Sequence, residues 1–287
     1  MQNTPFSTNK TLNVHGRLID LTIPRIMGIL NVTPDSFYDG GRFISESALL
    51  EQTEKMLDEG ADFIDVGGYS SRPGAAEIPE EEEKQRVVVA IASILKRFPR
   101  TVVSVDTFRS RVAEAAVAEG ALMINDIAGG SLDEAMFRTV ARLKVPYILM
   151  HMKGDPITMS SQTQYTDILK EMLDYFHQKI NLLQQLEVTD IIIDPGFGFA
   201  KNIEQNFNLL RNLGKFSILG KPTLVGLSRK SMVWKTLDIN PTEGLNGTTV
   251  LNTMALLRGA DILRVHDVRE AREVIKLFTS LQGNVNT

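Results

Sequence analysis

From residue 25 onward, short runs of Ile, Val and Leu alternate with longer segments in which apolar residues recur every three or four positions. The short runs are RIMGIL, DFIDV, VVSV, LMIND, PYILM, DIIID, TLVGL and DILRV, each four to six residues long. That length and β-branched content predict strands. The amphipathic segments predict helices over Ser45–Glu59, Glu80–Phe98, Arg109–Glu119, Asp133–Leu143, Tyr165–Leu186 and Ile203–Leu213. A helical region from Ser228 to Arg258 and a last helix over Val268–Leu281 complete the series. Strands separated by helices in this order imply an α/β fold, a (β/α)8 TIM barrel. A doubly wound open sheet is the rival, but no G-x-G-x-x-G follows the first run. Upstream, TLNVHGRLIDL reads as two short strands around His15-Gly16, an N-terminal β-hairpin covering one end of the barrel. No linker or composition break interrupts the pattern, so residues 1–287 are read as one domain. Pro79 with Glu80, Glu81, Glu82 and Glu83 marks a helix start, and those glutamates are expected to be a solvated charge run.

Polar residues gather where the apolar runs end. RIMGIL leads to Asn31, DFIDV to Gly67-Gly68, VVSV to Asp106 and LMI to Asn125-Asp126. YILM leads to His151, DIII to Asp194, and LVGL to Ser228-Arg229-Lys230. The last run carries Arg264 and, just beyond it, His266. Strand side chains alternate, so these two share a face while Val265 turns into the barrel wall. In a (β/α)8 barrel the C-terminal strand ends face one cavity, so groups distant in sequence converge there. Asp126 and Asp133 are expected to cap helices instead, and His151 serves equally well as a hydrogen-bonded core residue. Carboxylates, an amide and Lys230 together suit a flat heterocycle rich in N–H groups. Arg264 can stack on a ring or grip an anion, and Asn31, Arg72 and His266 add a region able to hold phosphate.

Composition narrows the function classes. The 287 residues are 43% hydrophobic and 23% charged, with a formal net charge of −4 and no basic run, which argues against a nucleic-acid or membrane surface. The absence of cysteine excludes disulfides, thiolate catalysis and Cys-ligated zinc. No H-E-x-x-H is present, so a zinc site is not expected, whereas a phosphate-associated magnesium ion needs only one or two protein oxygens. MQNTPFSTNK lacks the pattern of a signal peptide, and no apolar run approaches the ~20 residues that cross a bilayer. A soluble cytoplasmic protein is expected.

An ordered set of motifs sharpens this picture. MGILNVTPDSFYDGG at 27–41, DVGGYSSRPGA at 65–75, SVDT at 104–107, INDI at 124–127, LMHM at 149–152, DPGFGFAKN at 194–202, GLSRKSM at 226–232 and RVHDV at 264–268 together resemble the dihydropteroate synthase family. The resemblance implies a (β/α)8 enzyme of folate biosynthesis, usually a homodimer. Such enzymes join 6-hydroxymethyl-7,8-dihydropterin diphosphate to 4-aminobenzoate and release diphosphate. It implies that Asp106, Asn125, Asp194 and Lys230 hold the pterin, with Arg264 along its ring. Arg264, His266 and Asn31 would bind the diphosphate, Asn31 also contacting Mg²⁺. Ser228 would take the aminobenzoate carboxylate, and Phe199 and Lys201 would line the region between the substrates. Gly226 and Val265, inside two of the motifs, join the substrate-binding set, as do Ser71 and Arg72 in the loop after the second strand. Asp35 and Phe37 would shield the reacting centre, Asp35 being grouped with Asp106, Asp194, Lys230, Arg264 and His266 as catalytic. Tyr69 and Ser71 depart from the family's usual residues. The rival functions are a methyltetrahydrofolate-type pterin methyltransferase and a catalytically silent pterin-binding protein.

Overall fold

A computed structural model describes residues 10–33, 46–69 and 77–283. The chain enters through an antiparallel hairpin, β1 (Thr11–Val14) and β2 (Arg17–Asp20), with Val14 opposite Arg17. The two residues between them, His15 (φ 51°) and Gly16 (φ 84°), are both left-handed. A two-residue hairpin loop needs that hand to match the twist of its strands. Eight parallel strands follow: β3 (Arg25–Asn31), β4 (Phe63–Gly67), β5 (Val103–Asp106), β6 (Met123–Asp126), β7 (Tyr147–Met150), β8 (Ile191–Asp194), β9 (Leu224–Val225) and β10 (Ile262–Val265). Their spatial order is β8-β7-β6-β5-β4-β3-β10-β9, and a parallel bridge from Ile193 to Thr223 brings β8 back to β9. The expected (β/α)8 barrel with its hairpin is what forms.

The helices are α1 (Glu46–Asp58), α2 (Glu80–Arg97), α3 (Ser110–Ala118), α4 (Met136–Leu143), α5 (Ile168–Gln185), α6 (Ile203–Arg211), α7 (Ser231–Leu237), α8 (Leu245–Leu257) and α9 (Val268–Leu281). The helical region expected over 228–258 is thus two helices. Asp238, left-handed at φ 53°, ends α7. Asn240 then caps a short turn with Glu243, Pro241 fixes its first residue, and Gly244 leads into α8. A proline following a left-handed cap cannot continue the preceding helix.

Alternation along the strands sorts three environments. Outward residues such as Ile64, Val66, Val105, Leu149, Ile193 and Leu263 meet the helices in one large apolar layer. Val265 belongs to this layer and is fully buried, so its side chain does not reach the barrel mouth, contrary to its place in the expected substrate-binding set. Inside the barrel's foot, Met27, Phe63, Met123, Ile148, Ile192, Leu224 and Ile262 pack with Leu12 and Val14 of the hairpin. One inward step higher the same strands turn polar, presenting Asp65, Asn125, Asp194 and Arg264. The apolar foot thus seals the barrel beneath a polar mouth.

Several residues set apart by the sequence prove structural. Asp126 accepts the amides of Ala128 and Gly130 and the hydroxyl of Tyr147, and Asp133 accepts the amides of Ser110 and Ala135. His151 is buried edge-on to Tyr175, its amide bonded to the Asp194 carbonyl. The glutamate run is only partly a solvated face. Glu83 is fully buried, where it accepts from Thr107 Oγ1 at 2.6 Å and Arg109 Nη1 at 2.8 Å. It faces inward because helix periodicity places it beneath Val87. Replacing Asp126 with alanine strands two amides and a buried hydroxyl. Asp126→Ala is expected to lower the unfolding free energy by about 2–4 kcal/mol, read from urea denaturation followed by circular dichroism.

Candidate active site

The mouth is organised around a buried cation. Arg264 donates from Nε to Asp65 Oδ2 at 2.7 Å and from Nη2 to Asp106 Oδ2 at 2.5 Å. Asn125 Nδ2 shares the same Asp65 oxygen at 2.9 Å. The carboxylates come from β4 and β5, the amide from β6 and the guanidinium from β10, so the cluster ties the strands across the barrel. Burial works against the Arg264 charge, yet Asp65 and Asp106 hold its pKa above the ordinary arginine value. Asp65 Oδ1, Ser104 Oγ and Asn125 Oδ1, on three neighbouring strands, are buried without a hydrogen-bond partner among the described residues. Such groups are the ones a polar ligand satisfies.

Beside this cluster stands Lys230, just before α7. Its Nζ donates to the Phe197 carbonyl and lies 4.5 Å from the centre of the Phe199 ring. Burial lowers its pKa to about 8, with Asp194 opposing the shift. Asp194, raised by burial and lowered in part by Lys230, accepts the Gly196 amide at 2.7 Å. Gly226 separates Lys230 from Arg264: a methyl group there would lie 3.8 Å from Lys230 Nζ and 3.9 Å from Arg264 Cβ. Gly67 plays the same part on the other side, where a methyl group would lie 3.6 Å from Asn31 Oδ1 and 3.7 Å from Asp106 Oδ2. Small residues thus keep space between the functional groups.

Just beyond β10, His266 Nδ1 lies 3.0 Å from Ser228 Oγ, and the His266 amide donates to that oxygen at 3.2 Å. Arg229, left-handed at φ 54°, turns away and grips Asp267 with two hydrogen bonds of 3.0 and 2.7 Å. That pair fixes the loops carrying Ser228 and His266. Direct contacts therefore join Asp106 and Arg264, and through Asp65 also Asn125, join Lys230 with Phe199, and join Ser228 with His266. Lys201 lies elsewhere. It is 7% exposed and its nitrogen is surrounded by His151 and loop carbonyls, not presented between two substrates. Asp35, Phe37, Ser71 and Arg72 fall outside the described residues. Tyr69, at the edge of the described segment, meets Phe108 edge-on at 5.2 Å and lies beneath Arg109.

Sequence reading passed over Asp65 because it sits inside an apolar run. The signal was available: Phe63, Asp65 and Gly67 share the face that carries Arg264 on β10, and a buried carboxylate needs a cation. A cavity of about 650 Å³ opens at the opposite end, between Arg17–Asp20, Arg25 and Arg97–Val102. It is remote from the polar mouth. Arg97 ends α2, where a cation complements the helix dipole, and Arg25 is paired with Asp62. Among the described residues no group of three or more His, Asp or Glu side chains is placed to hold a metal.

The family model described as pterin binding enzyme matches residues 27–266. Dihydropteroate synthase of Escherichia coli strain K12 is 42% identical over 268 residues, covering 93% of this chain and 94% of that one. The structure of Xanthomonas albilineans dihydropteroate synthase with 4-aminobenzoic acid superposes with a TM-score of 0.88 at 37% identity, covering 96% of this chain and 99% of that chain. The same organism's enzyme in complex with 7,8-dihydropteroate gives 0.85 at 35% identity, covering 95% and 98%.

Burial raises the Asp106 carboxyl to about 7, Arg264 opposing it and Asp65 adding to it. Between the ordinary value of 3.8 and about 7 the folded chain holds a proton that the unfolded chain has released. Asp106 therefore removes stability as pH rises through that window. Carbon-detected NMR of labelled aspartate is expected to show one carboxyl titrating near 7, absent in Asp106→Asn, and the variant's stability is expected to fall less steeply between pH 4 and 7.

Proposed function

The chain belongs to the pterin-binding enzyme family, among its dihydropteroate synthases, and we propose that it joins 6-hydroxymethyl-7,8-dihydropterin diphosphate to 4-aminobenzoate, forming 7,8-dihydropteroate and diphosphate in folate biosynthesis. The observation that carries this reading is the inner polar layer of Asp106, Asn125, Asp194 and Lys230 around Arg264. The pterin's amino and ring N–H groups suit Asp194, the unpaired Asn125 oxygen and, above its raised pKa, Asp106. Lys230 donates to the ring's carbonyl or nitrogen. With Nε and Nη2 of Arg264 committed to carboxylates, Nη1 and the flat face remain for the ring and its diphosphate. His266 stands two residues before α9, whose first amides carry partial positive charge toward the same anion.

The reaction breaks the bond between the pterin methylene carbon and the diphosphate oxygen and forms a bond from that carbon to the arylamine nitrogen. The amine's proton leaves to solvent, and the electron pair of the broken bond leaves with diphosphate. Loosening of the C–O bond spreads positive charge over the ring, which Asp106 and Asp194 stabilise. Ser228 and the Phe199 ring receive the second substrate. Asp35, Phe37, Ser71 and Arg72 belong to this reading as proposed site residues.

Magnesium fits the donor set as a substrate-associated ion. Asn31 Oδ1 faces the gap over Gly67, and a hard cation takes its other ligands from phosphate and water. Bound there, the ion supplies positive charge to the departing diphosphate, beside a cluster in which Asp65, Asp106 and Asp194 outnumber Lys230 and Arg264. A second copy of the chain completes the proposed assembly as a homodimer. Val250, Met254 and Leu257 line an exposed apolar stripe on α8, with Leu237 and Leu277 exposed on the neighbouring helices. A cytoplasmic location accords with a chain free of cysteine. Among the described residues no helix is long and apolar enough to cross a membrane.

Purified protein given pterin diphosphate, 4-aminobenzoate and Mg²⁺ is expected to release diphosphate only when all three are present. Lys230→Met is expected to lower kcat/KM by about 10²–10³-fold. Ring binding without release would assign the chain to the silent binders. Sedimentation velocity is expected to show a dimer that Met254→Glu converts to monomer, and a wild-type monomer at micromolar concentration would remove the assembly.

A further inference from the structure

The loop between β8 and α6 is folded around a side chain that the proposed chemistry does not use. Lys201 Nζ lies 2.9 Å from the Phe199 carbonyl, 3.0 Å from that of Gly196, 3.3 Å from that of His151 and 3.2 Å from His151 Nδ1. Two of these carbonyls belong to the loop itself, and the third, that of His151, directly follows β7. The backbone needs such a centre. Gly196, Gly198 and Ala200 are all left-handed, at φ 67°, 80° and 49°, and in this irregular backbone the Gly196 and Phe199 carbonyls face Lys201 while that of Phe197 faces Lys230. Ala200 has no glycine's freedom there and requires support from its surroundings.

The opposite side of the same loop meets Lys230. The Phe197 carbonyl accepts from Lys230 Nζ, the Phe199 ring lies 4.5 Å from it, and a methyl group at Gly198 would sit 3.0 Å from Lys230 Cδ. Two lysines therefore grip one loop, Lys201 from within and Lys230 from the mouth. We propose that Lys201 is a positioning residue: its nitrogen fixes the Gly196–Ala200 loop, and through that loop it sets where Lys230 and the Phe199 ring stand. Other contacts reach the loop's amides and its end. The Gly196 amide donates to Asp194 Oδ1 and the Gly198 amide to Asn206 Oδ1, both at 2.7 Å, and Tyr165 Oη donates to the Ala200 carbonyl at 3.0 Å. Lys201 Nζ instead gathers the Gly196 and Phe199 carbonyls. His151 forms the wall behind Lys201, and burial keeps its imidazole neutral, so it adds no opposing charge.

The role rests on the synthase reading for its kinetic readout, and equilibrium binding separates the two. Lys201→Met and Lys201→Arg are compared with wild type in thermal unfolding, in calorimetric binding of the pterin diphosphate and in diphosphate release with that substrate varied. The methionine variant is expected to bind the pterin diphosphate more weakly, with KM raised and kcat/KM about 10²-fold lower. A merely structural lysine would lower Tm and the active fraction while leaving KM and affinity unchanged. Arginine carries a fixed charge where burial lowers the Lys201 pKa to about 7, and its planar fork cannot meet contacts converging on one nitrogen, so it too is expected to raise KM; it decides the matter if Lys201→Met does not fold. Because the chain has no cysteine, Lys201→Cys alkylated with bromoethylamine rebuilds a lysine-like amine at this position alone and is expected to restore KM. Unchanged KM and affinity in a folded variant would overturn the role. A wild type that binds the pterin diphosphate without releasing diphosphate would remove the synthase reading alone, leaving the affinities to judge Lys201.

Discussion

A guanidinium inside a barrel must be neutralised by groups that the barrel itself supplies, and here Asp65 and Asp106 supply them to Arg264. Asp65 is fully buried and the two partners are barely exposed, so solvent screens the pairs little. Desolvating three charges is costly, and a hydrophobic core of equal volume would serve stability as well. The arrangement makes sense as pre-organisation. It fixes a flat cation and an ionisable carboxylate at the base of the mouth, leaving donors and acceptors directed at a ligand instead of at one another.

The rest of the fold maintains that pre-organisation. The apolar foot, closed by Leu12 and Val14 of the hairpin, supports the charged layer from beneath. Glycines at 67 and 226 leave space between functional groups that a methyl group would fill at ordinary contact distance. Bonds outside the mouth steady its rim: Arg229 on Asp267, Glu83 on Arg109 and Thr107, and Asp126 on Tyr147. The loop after β8, gripped by Lys201 and Lys230, forms the wall on the Lys230 side of the mouth. Residues without contact to substrate thereby decide how far the reacting groups can stray.

Much of this was legible in the sequence. The strands are found within a residue or two of the apolar runs, because each run is short, β-branched and bounded by helix-period segments. Asp106, Asn125, Asp194, Lys230 and Arg264 stand out as polar residues at strand ends, a position that barrel geometry makes meaningful. Asp65 escaped because an apolar run was read as uniformly buried, when alternation alone assigns it to the face carrying Arg264. Glu83 escaped because a charge run looks uniform in sequence, whereas helical periodicity buries one member in four. The direction of the Lys201 side chain was not legible, since left-handed turns at Gly196, Gly198 and Ala200 decide which way it runs. The break between α7 and α8 was marked by Pro241 and Gly244 and overlooked beneath an apolar stretch.

Asp65 holds both Arg264 and Asn125, and Asp65→Asn removes its charge while keeping its shape. Calorimetric binding of the pterin diphosphate to Asp65→Asn, with urea unfolding of the same sample, measures that role most directly. A folded variant with affinity weakened by about 3 kcal/mol, roughly two orders of magnitude, is the expected result. Wild-type affinity in a folded Asp65→Asn would contradict the view that this ion pair organises the site.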